Sequence, residues 1–308
     1  MVDITNVGQN IFMIDDQLYS LPGWGSVYLL NEEKKALVDT GPSTSAKIVL
    51  EGIKQLGVRP EDIDYLVVTH IHLDHAGGAG TLIKDMPKAR VVVHQRGARH
   101  LVDPSRLVAS VMEASGQAMM AKYGEMVPVG EGRIMAVGEG DVIELGRGQT
   151  LKFFDAPGHA PHELCIYESR NRGIFTGDAV GVYVPGQEFL FPAAQPPNFN
   201  LELCIGTIRR LMTLNASRIY FAHFGVTEKV HKMLQMAIDK LLVWDRIVTE
   251  AVKQGNLDSA AAKLTEHARA DVEAVRKNRV IYEYLTGYSV PTSVSGFMKY
   301  QREKLATG

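Results

Sequence analysis

The segment THIHLDHAGG (69–78) gathers four metal-donor candidates, His70, His72, Asp74 and His75, within six residues. It follows directly on the apolar run YLVV (65–68), which reads as a buried strand delivering the chain to His70. A regular strand would alternate these side chains between its two faces, whereas a loop can turn them toward one point. Imidazole nitrogen and carboxylate oxygen together suit zinc, iron or manganese. Gly77 and Gly78 permit close backbone packing or unusual dihedrals where the loop passes into a helix. A polar surface turn is the bland alternative, but ten histidines in 308 residues seldom concentrate this way by chance.

Three later turns carry further donors. DAPGHAPHE (155–163) presents His159 after the strand-like LKFFDA, FTGDAVG (175–181) presents Asp178, and YFAHFG (220–225) presents His223 after IYF. Each donor lies just past a predicted strand, where loops converge over a rigid sheet edge. One such histidine would be weak evidence; three such turns with the first cluster make a joint signal.

The rest of the chain fits a two-sheet scaffold. SVYLLN (26–31) and KALVDTG (35–41) read as a hairpin, 43–56 as a helix, and RVVVH (90–94) as a further strand. The stretch 104–123 is predicted helical and mostly a structural insertion or cover, and Met119, Met120 and Met126 are expected to fill an apolar helical surface rather than bind metal. A second series of short strands follows, then a helix over 200–215 and the strand SRIYFAH ending at His223. Strands then helix, twice, suggest two sheets face to face with helices outside. After 225 the texture changes. Val226, Val230, Leu234, Ala237, Leu241, Trp244 and Val248 fall at spacings of three and four, predicting a long amphipathic helix. Ala261, Leu264, Ala268, Val272 and Val275 predict another, extending toward Leu285, and Pro291 is expected to interrupt the chain before a last helix near 297–305. The expected division is a catalytic domain over 1–225 and a helical extension over 226–308, serving as a lid or an oligomer contact, a homodimer among the options.

With its HxHxDH motif and ordered downstream His, Asp and His, the chain resembles the metallo-β-lactamase superfamily over roughly 10–225. The resemblance implies an α/β fold, a four-layer αββα sandwich with the site along one edge of its sheets. It implies that His70, His72 and His159 bind one metal ion, that Asp74, His75 and His223 bind a second, and that Asp178 bridges both. Asp39, in LVDTG, matches the family's carboxylate near the site and is expected to orient a ligand histidine rather than coordinate. The cofactors so implied are two divalent or redox-active ions, zinc first, with iron or manganese as alternatives. An anionic bridge such as Asp178 lowers the repulsion between neighbouring cations and fixes their separation. Coordination acidifies water, so hydroxide can attack an electrophile without a serine or cysteine nucleophile. Asp74 can accept a hydrogen bond or proton from that oxygen.

The leading expectation is a hydrolase for a small ester, lactone or thioester, with a small-molecule substrate. Di-iron redox chemistry, oxygen binding or sensing, and phosphodiester hydrolysis are the alternatives. Leu73 stands where the family's flavodiiron reductases would carry an extra carboxylate, and no flavin domain is recognisable. The acyl-homoserine-lactone hydrolases place a tyrosine soon after the bridging aspartate; here Tyr183 lies five residues beyond Asp178 and is a candidate substrate-side donor. The glyoxalase II branch, which cleaves a thioester, is a further comparison; no concentrated basic signature for glutathione stands out, while Lys229, Lys232, Lys240 and Arg246 leave local recognition open. EFLFPAAQPPNFN (188–200) is either an apolar substrate wall or a loop docked on the core, through Phe189, Leu190, Phe191 and Phe199. Trp24 reads as a structural aromatic that could face the cleft.

Composition adds exclusions. A formal net charge of -2 gives no broad basic footprint for nucleic acid. Two cysteines, Cys165 and Cys204, match no metal-binding spacing and require no disulfide scaffold. The first ten residues show no basic-then-apolar leader, and no apolar run is long enough to cross a bilayer. The expectation is a cytoplasmic protein with no membrane partner.

Overall fold

A computed structural model describes the backbone of 1–184, 186–223, 225–254 and 256–307, with the side chains of all these but 257, 258 and 307. The chain forms two compact units. The first comprises Met1–Asp155, His162–Gly177 and Ser217–Val226, and the second Ala156–Pro161, Asp178–Ala216 and Thr227–Gly308.

The first unit is built on two mixed sheets. One is ordered β1 (Ile4–Gly8), β2 (Ile11–Asp15), β3 (Ser26–Leu30), β4 (Lys35–Val38), β5 (Ile63–Val67), β6 (Arg90–His94) and β7 (Ile134–Val137). Its first four strands are antiparallel neighbours, and β4 through β7 run parallel. The other sheet uses β8 (Val142–Gly146), β9 (Gln149–Asp155), β10 (Leu164–Glu168) and β11 (Gly173–Phe175). After β12 (Val182–Val184) and β13 (Phe189–Phe191), which belong to the second unit, it is completed by β14 (Arg218–Phe221) and β15 (Gly225–Thr227). The pairing of β11 with β14 is parallel.

Alternation explains how the sheets meet. Ile11 and Met13, Tyr28 and Leu30, Leu151 and Phe153, and Leu164 and Ile166 each sit two apart on their strands and share one core with Val38, Val67, Phe175 and Tyr220. The Tyr28 ring lies 5.2 Å from Phe175 and 5.5 Å from Tyr220, both edge-on. Each such fully buried apolar side chain stabilises the fold by about 1.5–3 kcal/mol. On the opposite face of the first sheet, α1 (Ala46–Gln55) turns Val49 and Ile53 inward, and Gly52 allows it to approach Ile14. The short helices α2 (Leu73–Ala76), α3 (Ala79–Leu82) and α4 (Ala98–Val102) follow, and then α5 (Ser105–Tyr123), which breaks at Gly116.

The second unit holds the β12–β13 hairpin, α6 (Leu201–Met212) and a C-terminal helical extension, α7 (Val230–Lys253), α8 (Leu257–Val272), α9 (Arg279–Tyr284) and α10 (Val290–Thr307). Asn200, Asn256 and Asn278 cap α6, α8 and α9 by accepting from Leu203, Ser259 and Ile281 backbone N–H groups. Trp244 on α7 packs edge-on against Phe191 and Phe297, both at 5.7 Å. Pro291 does not interrupt the last helix as expected. The chain is helical without a break from Arg279 through Pro291, and a wider π turn over Leu285–Ser289 lies directly before the proline. No helix among the described residues is long and apolar enough to cross a membrane.

Candidate metal centre

The strand end at β5 fixes the first cluster. Val68 N–H donates to Val92 O at 2.9 Å, and Leu164 N–H donates to Thr69 O at 2.8 Å, so the chain entering His70 is held on both sides. The loop then closes into α2, where Thr40 donates to the His75 carbonyl through both N–H and Oγ1, each at 2.8 Å. Gly78 has ordinary helical dihedrals, and its role is proximity: a Cβ there would lie 2.8 Å from Thr40 O. The loop therefore packs directly on the strand that carries Asp39.

Asp39 follows β4 with φ 59°, a left-handed conformation that aspartate visits more readily than most residues. Its Oδ1 accepts from Thr69 N–H at 2.8 Å and Thr69 Oγ1 at 2.9 Å, while Oδ2 lies 3.0 Å from His75 Nδ1. An ionised carboxylate only accepts, so His75 keeps its proton on Nδ1 and presents the Nε2 lone pair.

That lone pair belongs to a compact donor group. Ligand atoms of Asp74, His75 and His223 all lie within 4.8 Å of one another. Asp74 Oδ2 is 3.9 Å from His75 Nε2 and 4.0 Å from His223 Nε2. His223 arrives from the end of β14, with the buried Trp24 ring 5.4 Å away. Two largely buried imidazoles, one with its tautomer set by a carboxylate, and a second carboxylate form a donor set that fits zinc, iron or manganese. Beside them, His70 Nε2 lies 3.0 Å from His72 Nδ1. On its other side His70 Nδ1 is 3.2 Å from Thr69 Oγ1 and 3.8 Å from the buried Glu163 carboxylate.

The second unit contains its own donor pair. His159 Nδ1 is 2.8 Å from Ala193 O, which can only accept, so Nδ1 carries the proton and Nε2 is left as acceptor. That nitrogen is 3.6 Å from Asp178 Oδ2, with both side chains buried. Tyr183 lies on β12 opposite Leu190 and is 6% exposed; burial pushes its phenol upward, with Glu188 adding to the shift. Phe191 and Phe199 are docked against Trp244, Phe297 and Tyr300, at 5.5–5.9 Å between rings. The cavity that Phe191 and Phe199 line with Asp178 and Leu190 measures about 10 Å³, room for roughly one water molecule. The 188–200 segment is thus docked as core within this unit. Cys165 and Cys204 are buried thiols that donate to Thr176 O and Ala179 O, at 3.7 and 3.6 Å.

Several partners escape sequence reasoning. Glu163 and His162 sit in the same PHE run that follows His159, and the His162 ring lies 5.9 Å from His72 and 6.3 Å from His70; a second histidine and an acid so near a ligand turn were the available signal. Tyr19, whose hydroxyl is 3.2 Å from Asp74 Oδ2, and Tyr123, 3.0 Å from Tyr19, have no local signal at all. The stretch 104–123 was expected to be mostly cover, yet its last residue reaches this network.

A family model described as the metallo-beta-lactamase superfamily matches residues 22–223. YobT of Bacillus subtilis, an uncharacterized protein, is 25% identical over 219 residues, 69% of this chain and 88% of its own. ST1585 of Sulfurisphaera tokodaii, a metallo-beta-lactamase fold-containing protein, is 25% identical over 230 residues, 73% of this chain and 82% of its own. Its crystal structure aligns with a TM-score of 0.65 at 24% identity, over 76% of this chain and 86% of that one. The flavodiiron core of Flv1 from Synechocystis sp. PCC6803 aligns at 0.56 and 16% identity, over 80% of this chain and 62% of that core. At such identities the structural likeness concerns the fold.

Proposed function

This chain belongs to the metallo-β-lactamase superfamily, and from that premise we propose that it is a binuclear metal-dependent hydrolase of a small ester, lactone or thioester. The observation that carries the reading is the convergence of Asp74, His75 and His223, with Asp39 fixing the tautomer of His75. In this reading Asp74, His75 and His223 would hold one ion and His70, His72 and His159 another, with Asp178 the carboxylate that would serve both. The close approach of His159 to Asp178 supports giving those two residues adjacent roles.

Zinc is the first choice of ion, with iron or manganese as alternatives set by availability. When bound, two such ions supply Lewis acidity that makes water a nucleophile near neutral pH and steadies developing oxyanion charge. The chain's own contribution is placement. Asp39 and Thr69 hold the strand ends together, and Asp74 offers a carboxylate to hydrogen-bond the attacking water and hold its proton. Tyr183 serves as a substrate-side hydrogen-bond donor.

The test is turnover of a carbonyl ester, a lactone, a thioester and a phosphodiester by one zinc-loaded preparation. The expected result is cleavage of one carbonyl class, lost on chelation and lost in Asp178→Ala and His72→Ala. Tyr183→Phe should raise KM more than it lowers kcat. Turnover lost in both alanine variants yet indifferent to metal removal would contradict the mechanism. A reproducible iron stoichiometry with an oxygen-dependent spectral change, and no hydrolysis, would replace it.

A further inference from the structure

We propose that Tyr19, backed by Tyr123, is the positioning residue for Asp74. The inference rests on the reading of Asp74 as a metal donor and adds a role that the HxHxDH motif does not contain.

Asp74 needs such a partner. It sits in the four-residue helix α2, and its side chain is 15% exposed, more than those of His75 and His223. A carboxylate on so short a helix can rotate away from the imidazoles it must join. Tyr19 prevents this at one particular atom. Its hydroxyl is 3.2 Å from Oδ2, the oxygen that faces both His75 Nε2 and His223 Nε2.

The proton directions along the chain of hydroxyls are settled by chemistry. The Asp74 carboxylate cannot donate, so Tyr19 donates to it. The 3.0 Å contact between the two phenols must then be filled from the other side, with Tyr123 donating to Tyr19. A hydroxyl that accepts one hydrogen bond donates a stronger one, so Tyr123 reinforces the contact on Asp74. The rings meet edge-on at 5.4 Å, which fixes the phenols relative to each other. Both residues are 7% exposed.

The backbone under Tyr19 points the same way. Tyr19 has φ 58° and ψ 24°, flanked by Gln17 at φ 52° and Ser20 at φ 64°. Left-handed geometry costs a bulky non-glycine residue about 1–2 kcal/mol. Three such residues in four positions persist because the turn is pinned: Ser20 N–H donates to Gln17 O at 2.7 Å, and Leu18 N–H donates to Asp16 Oδ1 at 3.1 Å. Ordinary chain dihedrals would carry the ring elsewhere. The strain is spent on aiming one phenol at one carboxylate oxygen.

The experiment is stepwise zinc titration of the metal-free protein against a chromophoric chelator, for wild type, Tyr19→Phe, Tyr123→Phe and Tyr19→Leu. Wild type is expected to take two ions. Tyr19→Phe, which keeps the ring, should weaken one of the two steps about 10- to 100-fold, the usual effect of losing a ligand's orienting partner, and leave the other unchanged. Tyr123→Phe should weaken the same step less. Melting of the metal-free Tyr19→Phe should match that of wild type, and Tyr19→Leu should melt lower, separating ring packing from the hydroxyl. If Tyr19→Phe titrates like wild type, the proposal is overturned while the metal-site reading stands. If wild type takes no ions, both fall. An iron-loaded wild type with a phenolate charge-transfer band that Tyr19→Phe abolishes would make Tyr19 a ligand and overturn the positioning role.

Discussion

Asp39 Oδ2 lies 3.0 Å from His75 Nδ1, so a carboxylate at the end of one strand decides which imidazole nitrogen keeps its proton. Asp39→Asn preserves the shape and the left-handed backbone but can present an amide N–H where an acceptor was needed. Zinc affinity should fall about 10- to 100-fold in a chelator competition. Asp39→Ala also removes the acceptor of the buried Thr69 N–H, and urea unfolding of the metal-free protein should register a further loss of about 1–3 kcal/mol. Unchanged affinity in Asp39→Asn would show that the tautomer is set by something else.

Asp16 predicts an unusual pH dependence of stability. Its carboxyl is clasped between Gly25 and Gly41, where a Cβ would stand 2.3 and 2.2 Å from its oxygens. Burial, reinforced by neighbouring Asp15, pushes its pKa from 3.8 up to about 7. The folded state thus keeps a proton that the unfolded chain has lost, and this contribution is fully present below about pH 4 and is lost as pH rises through about 7. The total is of order 4 kcal/mol. Asp16→Asn should therefore gain stability relative to wild type between pH 5 and pH 8, read from urea midpoints with chelator present. A wild-type-to-variant difference that is flat across that range would refute the assignment.

Metal removal should be visible without any substrate. An ion at one hundred times its dissociation constant stabilises the folded state by about 2.7 kcal/mol, so chelation should lower Tm by several degrees. His223→Ala removes one donor of the Asp74 group and should shrink that shift. A chelator effect of the same size in His223→Ala would place the ion elsewhere.

Phe153, fully buried between the sheets, should be costly to truncate. Phe153→Ala is expected to lose about 3–5 kcal/mol in urea unfolding. A loss under 1 kcal/mol would mean that the two faces collapse onto the cavity.

What the sequence made legible has a common physical origin: it was local. The strand before His70, the alternation that builds the two faces and the spacing along α7 are written in neighbouring residues. Tyr19 and Tyr123 are remote from Asp74 along the chain, and only the tertiary fold joins them. The second unit makes the same point. It gathers 156–161 and 178–216 with the C-terminal helices, a grouping that no local periodicity announces. Pro291 misled because a proline reads as a break wherever it falls, whereas here the helix widens into a π turn just before it and continues.

The pairing of β4 with β5 sets Val38 beside Val67, and the two chains leave the sheet together as Asp39 and Thr69. Side-by-side exit in that register works as a length standard for everything downstream. One residue added inside β5 would displace the histidine loop by about 3.3 Å and send alternate side chains through the opposite face. Extra residues in the connection through α1 would carry no such penalty. Divergence among relatives should therefore accumulate in the connections and stop at the strands.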